Sequence, residues 1–83
     1  MKGANPRYPE SAKHDRIQGQ VTLRTIIDKT GHIALLEVAR SPSTDLAIAS
    51  IQAVKTWEYK PYLLNGQPIE LETTIVVSYT LNG

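Results

Sequence analysis

The side chains with chemical reach in this sequence are two histidines, eight carboxylates and a scatter of hydroxyls, with no cysteine. Without cysteine there is no thiolate nucleophile, no disulfide framework and no Cys-ligated zinc. His14 and His32 could ligate a metal, but neither has a second ligand at helical or hairpin spacing, and both read as exposed turn histidines. Ser11 and Ser41 lack a His–acid pair close in sequence, so each reads as a turn or capping hydroxyl rather than a nucleophile. Glu70 and Glu72 resemble a paired-carboxylate site, yet at i, i+2 on a strand they share one solvated face. The sequence therefore predicts no enzyme, no cofactor and no metal centre.

Aromatic platforms fare no better. Tyr59 and Tyr62 could stack on bases, but no basic patch surrounds them, and nine basic side chains against eight acidic ones leave a net charge of +1. That balance argues against a dedicated nucleic-acid binder. Trp57 reads as a core anchor, and Tyr8 serves equally well as a core staple or a partner contact. The 83 residues, 41% of them apolar, suffice for one thin core and one small domain. No apolar run approaches the ~20 residues of a membrane span, and the N-terminus lacks the apolar stretch of a signal peptide.

The elements that must position these residues follow from periodicity. Residues 1–7 form a flexible lead-in, with Gly3, Asn5 and Pro6 opposing regular structure, and residues 8–83 form a single domain. A short helix begins at Tyr8-Pro9, with Pro9 in its first turn. Residues 17–28 alternate, with Val21, Leu23 and Ile27 on one face and Ile26 as the exception. Gly31 sits in a turn where a positive φ is needed, and a second strand runs from Ile33 to Arg40. Its apolar residues, Ile33, Leu36 and Val38, share a face only if a β-bulge lies near Ala34-Leu35.

Ser41-Pro42-Ser43-Thr44-Asp45 offers capping oxygens for a helix from about Thr44 to Trp57. Leu46, Ala49, Ser50, Ala53, Val54 and Trp57 make its narrow stripe. Asn65-Gly66 is a turn, and the last strand alternates from Ile69 to Leu81, with Val76 as the exception. The expected fold is α+β: a three-stranded antiparallel sheet in the order 2-1-3 with both helices on one face, a split β-α-β arrangement. Its expected core contains Val21, Leu23, Leu46, Ala49, Ala53, Trp57, Ile75 and Val77.

This order puts the last strand at an edge. All nine Lys and Arg lie before residue 61, and residues 73–81 (TTIVVSYTL) carry no charge, no Pro and no Gly. Bare edge strands recruit other strands and are normally guarded by charge. Thirteen residues of strand would span roughly 44 Å, against a radius of gyration of roughly 12 Å for a compact chain this size. The strand must bend, fray or overrun its covering helices.

The residues resemble the C-terminal domain family of the TonB energy transducers. The resemblance runs through Tyr8-Pro9-x-x-Ala12, Ile17-x-Gly19-x-Val21, Gly31-x-Ile33, and Val38 with Ser41. It continues in Leu46-x-x-Ala49-x-x-x-Ala53-Val54-x-x-Trp57, Trp57-x-Tyr59-x-Pro61 and Asn65-Gly66-x-Pro68. Departures are Ala47, where the family often has an acid, and Ser41-Pro42-Ser43, where it often has Ser-Gly.

What the resemblance implies is a periplasmic domain that grips the TonB box, a short N-terminal peptide of outer-membrane transporters, by β-strand addition to its sheet edge. Force from an inner-membrane motor of the ExbB/ExbD type would reach the transporter through it and drive uptake of substrates such as siderophores. The resemblance also implies a membrane helix and a Pro-rich linker outside this chain, which would be the excised periplasmic domain. The peptide-binding residues so implied are Thr74, Ile75, Val76, Val77, Ser78, Tyr79 and Thr80 at the edge, with Asn5, Arg7, Tyr8 and Pro9 beside them. Two alternatives stand: a structural or sensory envelope domain, and a module that forms a homodimer through the same edge.

Overall fold

A computed structural model describes residues 3–81. Residues 1–2 and 82–83, the outer ends of the expected lead-in and domain, lie outside the described residues. The element order is α1 (Glu10–His14), β1 (Gly19–Ile27), β2 (Ile33–Arg40), α2 (Thr44–Val54), β3 (Tyr62–Leu64), β4 (Gln67–Ile69) and β5 (Leu71–Tyr79). β1 is the middle strand of an antiparallel sheet ordered β2-β1-β5, the 2-1-3 arrangement expected from sequence, while β3 and β4 form a separate two-stranded ribbon.

Alternation decides the faces. In β1, Val21, Leu23, Thr25 and Ile27 are buried. Val21 and Leu23 pack with Leu46, Ala49 and Val54 of α2 and with Ala12 of α1. Thr25 sits in this apolar row because its hydroxyl donates to the Thr73 carbonyl at 3.2 Å, which removes the cost of burying it. Ile26 and Val76, the two exceptions to the alternation, point to the uncovered face, where Ile26 lies across from Leu35 and Val76 is 52% exposed.

The expected bulge is present, since Ile26 pairs with Leu35 and Ile27 with Ile33, leaving Ala34 unpaired. A second lies at Ala39, between the pairs Thr22–Arg40 and Leu23–Val38. The bulge at Ala34 brings Ile33, Leu36 and Val38 opposite Ile27, Thr25 and Leu23, the buried row of β1.

α2 starts at Ser43, whose hydroxyl accepts from the Leu46 amide at 3.1 Å, with Asp45 in the first turn. Both features suit a helix N-terminus. The helix ends at Val54, not at Trp57; one further turn is closed by the Trp57 amide donating to the Val54 carbonyl at 2.9 Å. Trp57 is consequently half-buried at the rim and packs against the core, as does Ile75, while Val21, Leu23, Leu46, Ala49, Ala53 and Val77 are buried. Pro9 sits at the N-cap of α1 rather than within its first turn.

The long last strand breaks at Glu70. Its first residue, Ile69, belongs to β4, which pairs with β3, Leu71–Tyr79 form β5, and Thr80 and Leu81 lie past its end. The body is also longer than a compact sphere, with a radius of gyration of 14.3 Å and extents of 48 × 21 × 18 Å.

Candidate functional site

β5 pairs with β1 in unbroken register from Gly19–Tyr79 to Ile27–Leu71. Its other edge has no partner strand among the described residues. Along it, Thr74, Val76, Ser78 and Thr80 are exposed, Ile75 is half-buried, and Val77 and Tyr79 are buried. Thr80 lies just past the end of the strand. Edge amides and carbonyls on a straight, evenly paired strand form a template for another extended chain. β2 is the opposite edge, but its two bulges break the repeat that a further strand would need.

Charge is confined to the start of β5. Arg24 reaches diagonally to Glu72 at 3.1 Å on the uncovered face, and that hydrogen bond holds the guanidinium pKa above its ordinary value. Both side chains are exposed, so the pair adds little stability. From Thr73 onward the edge is neutral.

The lead-in runs along α2. The Ala4 amide donates to Thr56 Oγ1 at 3.1 Å, and Trp57 Nε1 donates to the Ala4 carbonyl at 2.6 Å. Further on, Arg7, Tyr8 and Pro9 line a cleft of about 360 Å³ against α2, whose wall includes Ile48, Ala49 and Gln52. Asn5 is exposed and does not line it.

Tyr8 links the two groups of residues. Its hydroxyl donates to the Ile17 carbonyl, and its ring stands edge-on to Tyr79, with centroids 5.3 Å apart at 80°. Ser50 Oγ donates to the Leu46 carbonyl at 2.8 Å, so its only proton is committed and Tyr79 donates to Ser50 across 2.8 Å. Burial raises the Tyr79 hydroxyl pKa. The end of β5 is thereby tied to α2 and the lead-in, while its outer edge stays open.

Of the cleft residues, Glu10, Ile48 and Gln52 were not singled out from the sequence, and Ser11 and Asp45 were read only as turn or capping residues. Ile48, an apolar residue off the buried stripe of α2 and 48% exposed, was the available signal. His14 lies beside Asp15 at 3.2 Å. His32 belongs to a turn network, with Thr30 Oγ1 at 2.8 Å and Glu58 Oε1 at 3.1 Å. Among the described residues no group of three or more His, Asp or Glu could hold a metal ion, and no helix is long and apolar enough to cross a membrane.

Comparison with known proteins agrees with this architecture. The family model described as Gram-negative bacterial TonB protein C-terminal matches residues 4–81. The chain is 29% identical over 79 residues to Protein TonB of Vibrio cholerae serotype O1, covering 94% of this chain and 32% of that protein. It is 30% identical over 78 residues to Protein TonB of Xanthomonas campestris pv. campestris, covering 93% of this chain and 35% of that protein. The chain thus spans about a third of the length of these curated relatives. With the motifs, the β2-β1-β5 sheet and the match over residues 4–81 in agreement, the chain belongs to the TonB C-terminal family.

Proposed function

We propose that this domain is the periplasmic, peptide-gripping end of a TonB-type energy transducer. It takes the TonB box of an outer-membrane transporter as an added strand on the outer edge of β5, and it catalyses no reaction. Force from an inner-membrane motor of the ExbB/ExbD type passes through it to the transporter and drives uptake of substrates such as siderophores. Residues 8–83 are the gripping domain and 1–7 its lead-in. Thr74, Ile75, Val76, Val77, Ser78, Tyr79 and Thr80 offer the main-chain groups, and Asn5, Arg7, Tyr8 and Pro9 border the peptide.

One observation carries this reading: of the two sheet edges, β5 alone is evenly paired over nine residues and free of charge from Thr73 onward, whereas β2 is interrupted twice. Main-chain recognition makes the added strand tolerant of sequence and intolerant of proline, which lacks a donor.

The test pairs Val77→Pro and Ser78→Pro in the domain with a central proline in a TonB-box peptide, followed by amide chemical shifts on titration. At whichever position directs its N–H outward, proline abolishes peptide binding in a folded domain. Undiminished binding by that folded variant excludes the edge. Concentration-dependent dimerisation in place of peptide shifts favours the homodimer alternative.

A further inference from the structure

We infer that the β3–β4 hairpin is a membrane-touching knob, whose ligand is the uncharged interfacial layer of a phospholipid bilayer. Tyr62, Leu63 and Leu64 are consecutive, and they are 53%, 57% and 57% exposed. The ribbon is a sheet of its own, separate from β2-β1-β5. Asn65 (φ 52°) and Gly66 (φ 81°) make the tight turn at its tip, and a Cβ added at Gly66 would meet no atom within 4 Å. That pair of positive φ values belongs to two-residue hairpin turns.

The arrangement of its side chains selects the occupant. Tyr62 lies opposite Ile69 and Leu63 opposite Pro68, so apolar side chains project from both faces of the ribbon. Docking into a protein groove requires one apolar face and leaves the other to water. A lipid interface surrounds an inserted tip and accepts both.

Charge agrees, because residues 61–69 carry none and the nearest charged side chains in sequence, Lys60 and Glu70, stand at the base. Size argues against a second copy of the chain, since stable association engages about 20–30 residues a side and this ribbon has two strands of three. Tyr62 suits the headgroup level, where aromatic rings with one polar end collect. Pro68 carries no N–H to leave unpaired. The ribbon's remaining edge groups still need water, which holds insertion to the interface and out of the hydrocarbon.

The chain contains no cysteine, so Asn65→Cys accepts a single environment-sensitive dye at the tip, and Glu37→Cys provides a control on the uncovered sheet face. The vesicles are phosphatidylcholine alone, and phosphatidylethanolamine with a minor share of phosphatidylglycerol. The dye at position 65 shifts to the blue with both vesicle types and is quenched by lipid-borne quenchers, and the dye at 37 does neither. In co-flotation, Leu63→Asp with Leu64→Asp lowers partitioning about tenfold or more, because binding follows buried apolar area, while its circular dichroism stays that of the parent. An unshifted dye at 65, or a folded double variant that floats as well as the parent, overturns the assignment. A dye at 65 that responds to a transporter N-terminal peptide and not to vesicles overturns it too, and gives the hairpin a protein partner.

Discussion

Gly31 joins the β1–β2 turn to the segment that follows α2. Its carbonyl accepts from the Tyr59 amide at 2.8 Å, its φ is +91°, and a Cβ there would come within 1.8 Å of the Tyr59 carbonyl oxygen. Two penalties coincide, left-handed backbone and a clash with main chain that cannot rotate away. Gly31→Ala is expected to destabilise the domain by about 2 kcal/mol or more, read as a lower denaturation midpoint with unchanged slope. A midpoint equal to that of the parent would mean that this junction bends freely. The need for a positive φ was legible from Lys29-Thr30-Gly31-His32, but the approach of Tyr59, a long-range contact, left no local signature. Trp57 shows the same divide. Its spacing placed it on the α2 stripe, and only the structure reveals the last turn and the Ala4 carbonyl that hold it at the rim.

Among the elements, the β1–β2 hairpin concentrates its electrostatics in one carboxylate. Asp28 Oδ1 accepts from the Thr30 hydroxyl at 2.6 Å, the Thr30 amide at 2.9 Å and the His32 amide at 3.0 Å. These bonds, the Thr30 hydroxyl foremost, hold its pKa below the ordinary value of 3.8. A depressed folded pKa stabilises above the unfolded value, and the gain disappears as pH falls through the lower folded value. Asp28→Asn is therefore expected to reduce stability near neutrality and to flatten the loss on acidification below the ordinary value, as thermal melts across pH would record. Parallel acid limbs for the two proteins would contradict it. Strands β1, β2 and β5 were legible because period two survives in them despite Ile26 and Val76. The β3–β4 ribbon was not, because Pro61 precedes it, Pro68 lies within it, and three-residue strands are too short to show a period. The bulge at Ala39 also escaped notice, since alanine has neither the size to demand burial nor a turn preference.

At the scale of the molecule, the proposed strand addition to β5 would gain five or six hydrogen bonds at about 1 kcal/mol net each, besides some side-chain burial. Against this, association and ordering of a flexible peptide cost at least about 4 kcal/mol. Calorimetry is expected to return a dissociation constant around the micromolar range, with related peptides of different side chains binding within about an order of magnitude of one another. Nanomolar affinity dependent on a single side chain would point to a pocket as the main site. The strand order and the identity of the exposed edge were legible from the crossover rule and the charge-free tail. The cleft between the lead-in and α2 was not, because residues 3–9 have no regular element and their course depends on two hydrogen bonds to Ala4.

Those two bonds also determine how a pull on the N-terminus enters the domain. Among the described residues, the hydrogen bonds of Ala4 to Thr56 and Trp57 are the first that such a traction meets. Once they part, the chain lifts off α2 as far as Tyr8, where the hydroxyl bond to Ile17 and the ring against Tyr79 take the load. Tension thus arrives at the foot of β1 and the end of β5, adjacent strands running in opposite directions. The lead-in behaves as a strap that yields in steps, releasing length before the sheet is strained.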